Sequence, residues 1–127
     1  MKSKQEIVDG LRGFTSSTPL HSVDQHPGMA MTPGVKWLVE SADCLWLVDR
    51  ISVAQHLKSI KKRLTGLQFW SFARDGIGGG RLNLTTRGGS KSPVIEESIK
   101  CVDFPLDNIQ LIVSNKVILL PGEYLHK

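Results

Sequence analysis

The hydrophobic period of this chain changes at Gly66, and that change constrains the fold more than any other feature. Before Gly66, apolar residues such as Val35, Leu38 and Ala42 recur at helical spacing. After Gly66, apolar and polar residues alternate, as they do in strands with one buried face. Helical patterns followed by strand patterns are typical of an α+β domain, and 127 residues are enough for one such domain.

The pattern predicts three helices and five strands in a single α+β domain that spans residues 1–127. Thr32 and Pro33 are a strong helix start, because a hydroxyl caps the first turn and proline fits its first position. We expect the N-terminal helices to pack on one face of a roughly five-stranded antiparallel sheet. The helices are expected at about 4–14, 33–42 and 43–60, and the strands at about 67–74, 81–87, 94–102, 109–113 and 117–120.

Cysteine use and the absence of targeting patterns bear on the compartment. Cys44 and Cys101 both lie inside apolar runs, where cysteine behaves as a small buried hydrophobe. The basic N-terminus lacks the apolar core of a secretory signal, and the interrupted apolar run 109–120 is too short to span a membrane. These features predict a cytoplasmic protein without membrane association.

Asp49, His21 and His26 are the polar candidates for a small hydrolase or a ligand-binding enzyme. The two histidines lie in an irregular segment, 15–31, that has no hydrophobic period. Asp49 lies within an apolar helix, where a carboxylate either pairs with a base such as Arg50 or Lys36 or has its pKa raised by burial. The His-x-x-Asp-x-His spacing by itself is a poor metal site, so no metal and no cofactor are predicted.

Three other patterns favour structural interpretations. Glu96 and Glu97 are neighbours on a predicted strand and therefore point to opposite faces, so they cannot share a substrate proton. The glycines within 76–80 precede a strand, whereas a phosphate-binding loop precedes a helix, so they are interpreted as a turn. Phe69, Trp70 and Phe72 are interpreted as core residues, although exposed aromatic side chains would stack nucleic-acid bases.

Basic residues are concentrated in the middle of the chain. The formal net charge is +4, yet residues 58–91 hold eight cations and a single anion, Asp75. Such a segment can attract polyanions to one side of a protein. The side chains that would meet an anionic partner form two basic rows: Lys58, Lys61, Lys62 and Arg63, followed by Arg74, Arg81 and Arg87.

The leading hypothesis is therefore a non-enzymatic binding or accessory module with a basic face. Its expected partner is a nucleic acid, contacted through residues 58–91, or another protein, and a homodimer is compatible with the pattern. The small enzyme that uses Asp49 and the loop histidines is the alternative from another class. A further alternative is a structural protein that captures its partner through an exposed edge strand at 117–120.

Six short segments, in order along most of the chain, form a recognisable set: 11–15 (LRGFT), 32–38 (TPGVKWL), 45–49 (LWLVD), 54–55 (AQ), 103–107 (DFPLD) and 119–124 (LLPGEY). Together they resemble a family of small bacterial proteins described as a domain of unknown function. The chain departs from that family around 76–80 and at 16–31, where relatives have an aromatic-rich segment. The resemblance implies a compact bacterial α+β domain and brings no activity, ligand or catalytic residue with it.

Overall fold

A computed structural model describes residues 3–14, 20–23, 26, 28–55, 68–74, 78–85, 95–100, 104–114 and 116–125. Within these residues, helices and strands combine in an α+β fold, the predicted class. The helices are α1 (Lys4–Leu11), α2 (Pro33–Ala42), α3 (Leu45–Ala54) and α4 (Pro121–Leu125). The strands are β1 (His21–Ser22), β2 (Ala30–Met31), β3 (Gln68–Arg74), β4 (Gly79–Thr85), β5 (Ile95–Lys100), β6 (Asn108–Ser114) and β7 (Val117–Leu119).

The strands form one mixed sheet of seven strands in the order β1-β2-β7-β6-β3-β4-β5. The prediction of about five antiparallel strands is corrected here, because β1 and β2 extend the sheet and β2 runs parallel to β7. Each of these two strands has two residues, too few to show a hydrophobic period. Their position depends on pairing with β7, which lies far away in sequence, so local pattern did not reveal them.

The order of the strands also contradicts the edge-strand hypothesis for residues 117–120. β7 pairs with β2 on one side and with β6 on the other, so its backbone is already hydrogen-bonded within the sheet. After β5, the chain returns to place β6 beside β3. The described edges of the sheet are β1 and β5, and β5 carries charged side chains of the kind that discourage edge pairing.

The hydrophobic core lies between the helices and one face of the sheet. Trp70 and Phe72 on β3 and Leu82 on β4 are buried on this face, which confirms the core interpretation of Trp70 and Phe72. Trp46 of α3 packs edge-on against Phe72, with ring centroids 5.1 Å apart. Aromatic pairs in this arrangement add stability beyond the area they bury, so this contact fixes the start of α3 against the sheet.

The C-terminal helix α4 holds the start of α2 through a buried carboxylate. The Glu123 side chain is fully buried; its Oε1 accepts hydrogen bonds from the Thr32 hydroxyl at 2.5 Å and the Leu120 N–H at 3.0 Å. Its Oε2 accepts from the Gly34 N–H at 3.2 Å. Because helix N-termini leave N–H groups without intrahelical partners, Glu123 supplements the Thr32 cap. Two of the resemblance segments, 32–38 and 119–124, meet at this point.

Gly79 and Gly80 belong to strand β4, so the turn interpretation is corrected for these two residues. A Cβ atom on Gly79 would lie 2.3 Å from the Ile99 carbonyl oxygen, and one on Gly80 would lie 2.3 Å from that of Ala73. Glycine is therefore required because the neighbouring strands approach closely. Gly78 precedes the strand with φ +88°, a conformation that glycine adopts without strain.

Candidate functional site

A cavity of about 330 Å³ lies between the start of α3 and the described residues of the segment 22–31, which are 22, 23, 26 and 28–31. Backbone hydrogen bonds shape the segment, from the His26 N–H to the Val23 carbonyl and from the Met29 N–H to the His26 carbonyl. The parallel pairing of β2 with β7 then holds Ala30 and Met31, at the end of the segment, beside the core. The residues that line the cavity are Ser22, Val23, His26, Met31, Leu45, Trp46 and Asp49.

His26 and Asp49 form a hydrogen-bonded pair on the cavity wall. The His26 Nε2 and Asp49 Oδ1 atoms are 2.7 Å apart, although the two residues are 23 positions apart in sequence. The His26 side chain is 12% exposed and that of Asp49 is 46% exposed. Because an ionised carboxylate can only accept hydrogen bonds, this pairing places the imidazole proton on Nε2 and leaves Nδ1 of a neutral ring as an acceptor.

The part of the cavity wall that lies beside Asp49 on α3 is apolar and firmly supported. Trp46 packs edge-on against both Phe72 and Phe104, with centroid separations of 5.1 and 6.1 Å. Leu45, at the first position of α3, lines the cavity and is 56% exposed. The ring contacts hold Trp46 in place, so this wall is preorganised rather than formed on binding.

The electrostatic character of the cavity differs from that of the whole chain. The chain carries a formal charge of +4, yet no lysine or arginine of the described segments lines this cavity. Among the described residues, Asp49 is the one carboxylate on the wall, and His26 is its hydrogen-bond partner. This carboxylate attracts cationic groups and repels anions.

A protein-family model, described as a family of unknown function (DUF6876), matches residues 5–124. The chain belongs to this family. The match confirms the resemblance to a domain of unknown function. No curated protein and no solved structure gives a significant match to this DUF6876 domain.

The structure of the DUF6876 domain corrects the expected partner of Asp49. The predicted bases were Arg50 and Lys36, but Asp49 pairs with His26, and Arg50 pairs with Glu97 of β5. Residue type and helix position identified Asp49 and His26 as candidates. Their contact was not predictable, because it depends on where the sheet places the loop. His21 is in β1 and does not line the cavity.

Five of the seven predicted basic residues, Lys58, Lys61, Lys62, Arg63 and Arg87, lie outside the described residues. The other two form ion pairs on the surface. Arg74 contacts the Asp107 carboxylate at 2.8 Å, and Arg81 contacts Glu96 at 3.1 Å. The hydrogen bond and charge of Lys4, with a smaller contribution from Arg74, hold the pKa of Asp107 below its usual value. Arg74 and Arg81 are thus partly neutralised by carboxylates.

The remaining candidates have structural roles. Glu97 contacts Arg50 on the helix-covered face, whereas Glu96 contacts Arg81 of the neighbouring strand, which agrees with the prediction that the two carboxylates point apart. Burial raises the pKa of the Cys44 thiol to about 12, so this cysteine is a core residue and a poor nucleophile. Cys101 lies outside the described residues.

Metal binding and membrane insertion have no support within the ranges that the structure describes. In those ranges, His, Cys, Asp and Glu side chains do not gather in groups of three that would hold an ion. Asp24, which completes the histidine-rich spacing, lies outside them. A bilayer-spanning helix is also missing from these ranges, since none of their helices has the required length and apolar character.

Proposed function

We propose that this protein is a non-enzymatic module that binds a small ligand in the cavity between α3 and the segment 22–31. The observation that carries the proposal is the His26–Asp49 pair, 2.7 Å apart, on the wall of an otherwise mostly apolar cavity. Ligand sites are concave, largely apolar and equipped with a few polar groups that orient the ligand. The volume of about 330 Å³ matches the lower end of the ~300–1,000 Å³ range of such sites.

Binding is preferred to hydrolysis because a histidine–carboxylate pair also needs a nucleophile. Among the described residues, no serine, threonine or cysteine side chain hydrogen-bonds to His26; its polar side-chain contact is with Asp49. Ser22 shares the cavity wall and is the hydroxyl to test. Hydrolysis of p-nitrophenyl acetate that is lost in both Ser22→Ala and His26→Gln variants would favour the enzyme instead.

We expect the variant Leu45→Arg to weaken binding of cavity ligands by about tenfold or more, because a long charged side chain replaces apolar contact at the mouth. Ligand-observed NMR with a fragment library of mixed charge measures this effect. Val53→Arg is the matched control: it lies on the same helix, its exposure of 50% is close to the 56% of Leu45, and it does not line the cavity.

The proposal fails under either of two results. One is that no fragment binds at millimolar concentration. The other is that fragments bind equally well to the wild-type protein and to the Leu45→Arg variant, which would place them elsewhere. Preserved binding in the Val53→Arg variant is needed to show that added positive charge on α3 is not itself the cause.

A nucleic-acid partner is a second candidate, supported by the eight cations of residues 58–91. If several of them contact phosphates, the affinity for DNA or RNA should fall by about an order of magnitude or more between about 50 and 200 mM salt. Fluorescence anisotropy measures this, with Lys61→Glu/Lys62→Glu expected to abolish binding. The control Lys100→Glu/Lys116→Glu makes the same charge change on exposed residues outside the segment.

Absence of binding at about 50 mM salt would contradict the nucleic-acid candidate, as would equal losses in the two double variants. In that case, the basic segment is a solvated surface. A protein partner and a homodimer stay predictions of the sequence.

A further inference from the structure

We propose that the ligand of this cavity is a small organic amine, a protonated nitrogen on a short apolar or aromatic body. The inference rests on the proposed function and adds the chemical class of the ligand. Its basis is the juxtaposition of one half-exposed carboxylate, one tryptophan and several apolar side chains, without a described lysine or arginine on the wall.

Asp49 has hydrogen-bonding capacity that the described residues leave unused. A carboxylate has two oxygens and about four acceptor positions, and in the described residues Asp49 contacts His26 through Oδ1. Its side chain remains 46% exposed while it lines the cavity. An ammonium group carries three donors, so it can pair with the remaining acceptor positions.

Trp46 makes the wall suited to an organic cation. Tryptophan is the strongest of the aromatic side chains in attracting a nearby positive charge. The contacts of Trp46 with Phe72 and Phe104 hold its ring in place, so binding does not have to order it. Val23, Met31 and Leu45 provide the surface for an apolar body.

The same groups disfavour the other ligand classes. An anion would face the Asp49 carboxylate, and no described lysine or arginine on the wall compensates for that charge. A metal ion would find one carboxylate and one imidazole, since groups of three potential ligands do not occur in the described ranges, and bound divalent cations usually have four or more ligands. A protonated amine has the charge opposite to that of Asp49, so it needs no lysine or arginine on the wall. It also needs no set of several coordinating side chains, as a metal ion does.

Three probes with the same ring test the charge preference: benzylamine, benzyl alcohol and benzoate. Protein-observed NMR titrations at low salt should show benzylamine binding about tenfold more tightly than benzyl alcohol, from the ion pair and the cation–π contact together. Benzoate should not bind. This comparison uses the wild-type protein, so it does not depend on whether a variant folds.

The variant Asp49→Asn removes the ion pair and leaves the Trp46 contact, so it should lower the affinity for benzylamine by about fivefold and should leave that for benzyl alcohol within about twofold. Asparagine has nearly the same shape as aspartate and keeps a side-chain oxygen that can accept a hydrogen bond from His26 Nε2. Glu40→Gln is the control, because it makes the same charge change at an exposed position of α2 and should leave all three affinities unchanged.

The results separate this inference from the proposed function. If benzyl alcohol or benzoate binds as well as benzylamine and the binding is sensitive to Leu45→Arg, the amine inference is overturned and the binding function stands. Equal losses in Asp49→Asn and Glu40→Gln would also overturn it, because they would indicate a long-range charge effect. If none of a chemically mixed library binds in the cavity, both proposals fail.

Discussion

Replacing Glu123 with alanine is expected to lower the free energy of unfolding by about 3 kcal/mol. The carboxylate is fully buried and accepts hydrogen bonds from the Thr32 hydroxyl and from the backbone N–H groups of Gly34 and Leu120. Alanine would leave these donors without a partner in a buried place, where each unpaired group costs about 1–3 kcal/mol. Urea unfolding followed by circular dichroism measures the loss.

Two substitutions sharpen the Glu123 experiment. Glu123→Gln keeps one acceptor oxygen, but its NH2 group replaces the other oxygen and faces a donor instead of an acceptor, so we expect roughly half of the alanine loss. Glu40→Gln removes a charge at an exposed position and should change stability by less than about 0.5 kcal/mol. If Glu123→Ala is as stable as Glu40→Gln, the link between α4 and the start of α2 contributes nothing.

Replacing Phe72 with alanine is expected to cost about 4 kcal/mol of stability, the range seen for buried aromatic truncations. Phe72 is fully buried, and its ring packs edge-on against Trp46 at 5.1 Å and against Phe104 at 5.4 Å. Removal of the Phe72 ring leaves a cavity in the core. Because folded domains are stable by only about 5–15 kcal/mol, thermal unfolding should show a large drop in Tm.

Phe72 also links stability to the ligand site, because it supports the Trp46 wall. We expect Phe72→Leu, which keeps most of the volume, to lose only about 1–1.5 kcal/mol and to remain folded for binding assays. Its affinity for cavity ligands should be weaker than that of the wild type, since Trp46 loses an edge-to-face partner. A Phe72→Ala variant as stable as Phe72→Leu would contradict the assignment of this ring to a close-packed core.

Sequence patterns predicted those helices and strands whose signals lie within a short stretch of the chain. Helix α2 (Pro33–Ala42) coincides with the expected range, because its cap, its proline and its apolar stripe all lie within ten residues. Strand β3 (Gln68–Arg74) starts within one residue of the expected position, since alternation over seven residues is a clear signal. The strands β1 and β2 and the helix α4 were missed, because elements of two to five residues have too few positions to show a period.

For the candidate site too, the sequence identified some of the residues but not the contacts between them. Asp49 and His26 were candidates from the sequence, since an acid within an apolar helix is unusual and histidine is a residue type that serves acid–base chemistry. Their pairing was not visible, and neither was the position of His21 away from the cavity. The role of Glu123 was missed entirely. A single glutamate near the C-terminus carries no local sign that it will be buried.

The sequence by itself determined the α+β class, the family and the residue types available for chemistry, because these depend on composition, period and short segments. Only the tertiary structure decided which of those residues meet. His26 reaches Asp49 across 23 positions, and Thr32 reaches Glu123 across 91. Both contacts depend on the order of strands in the sheet, especially on the parallel pairing of β2 with β7. That order is set by the packing of the whole core, which no local segment encodes.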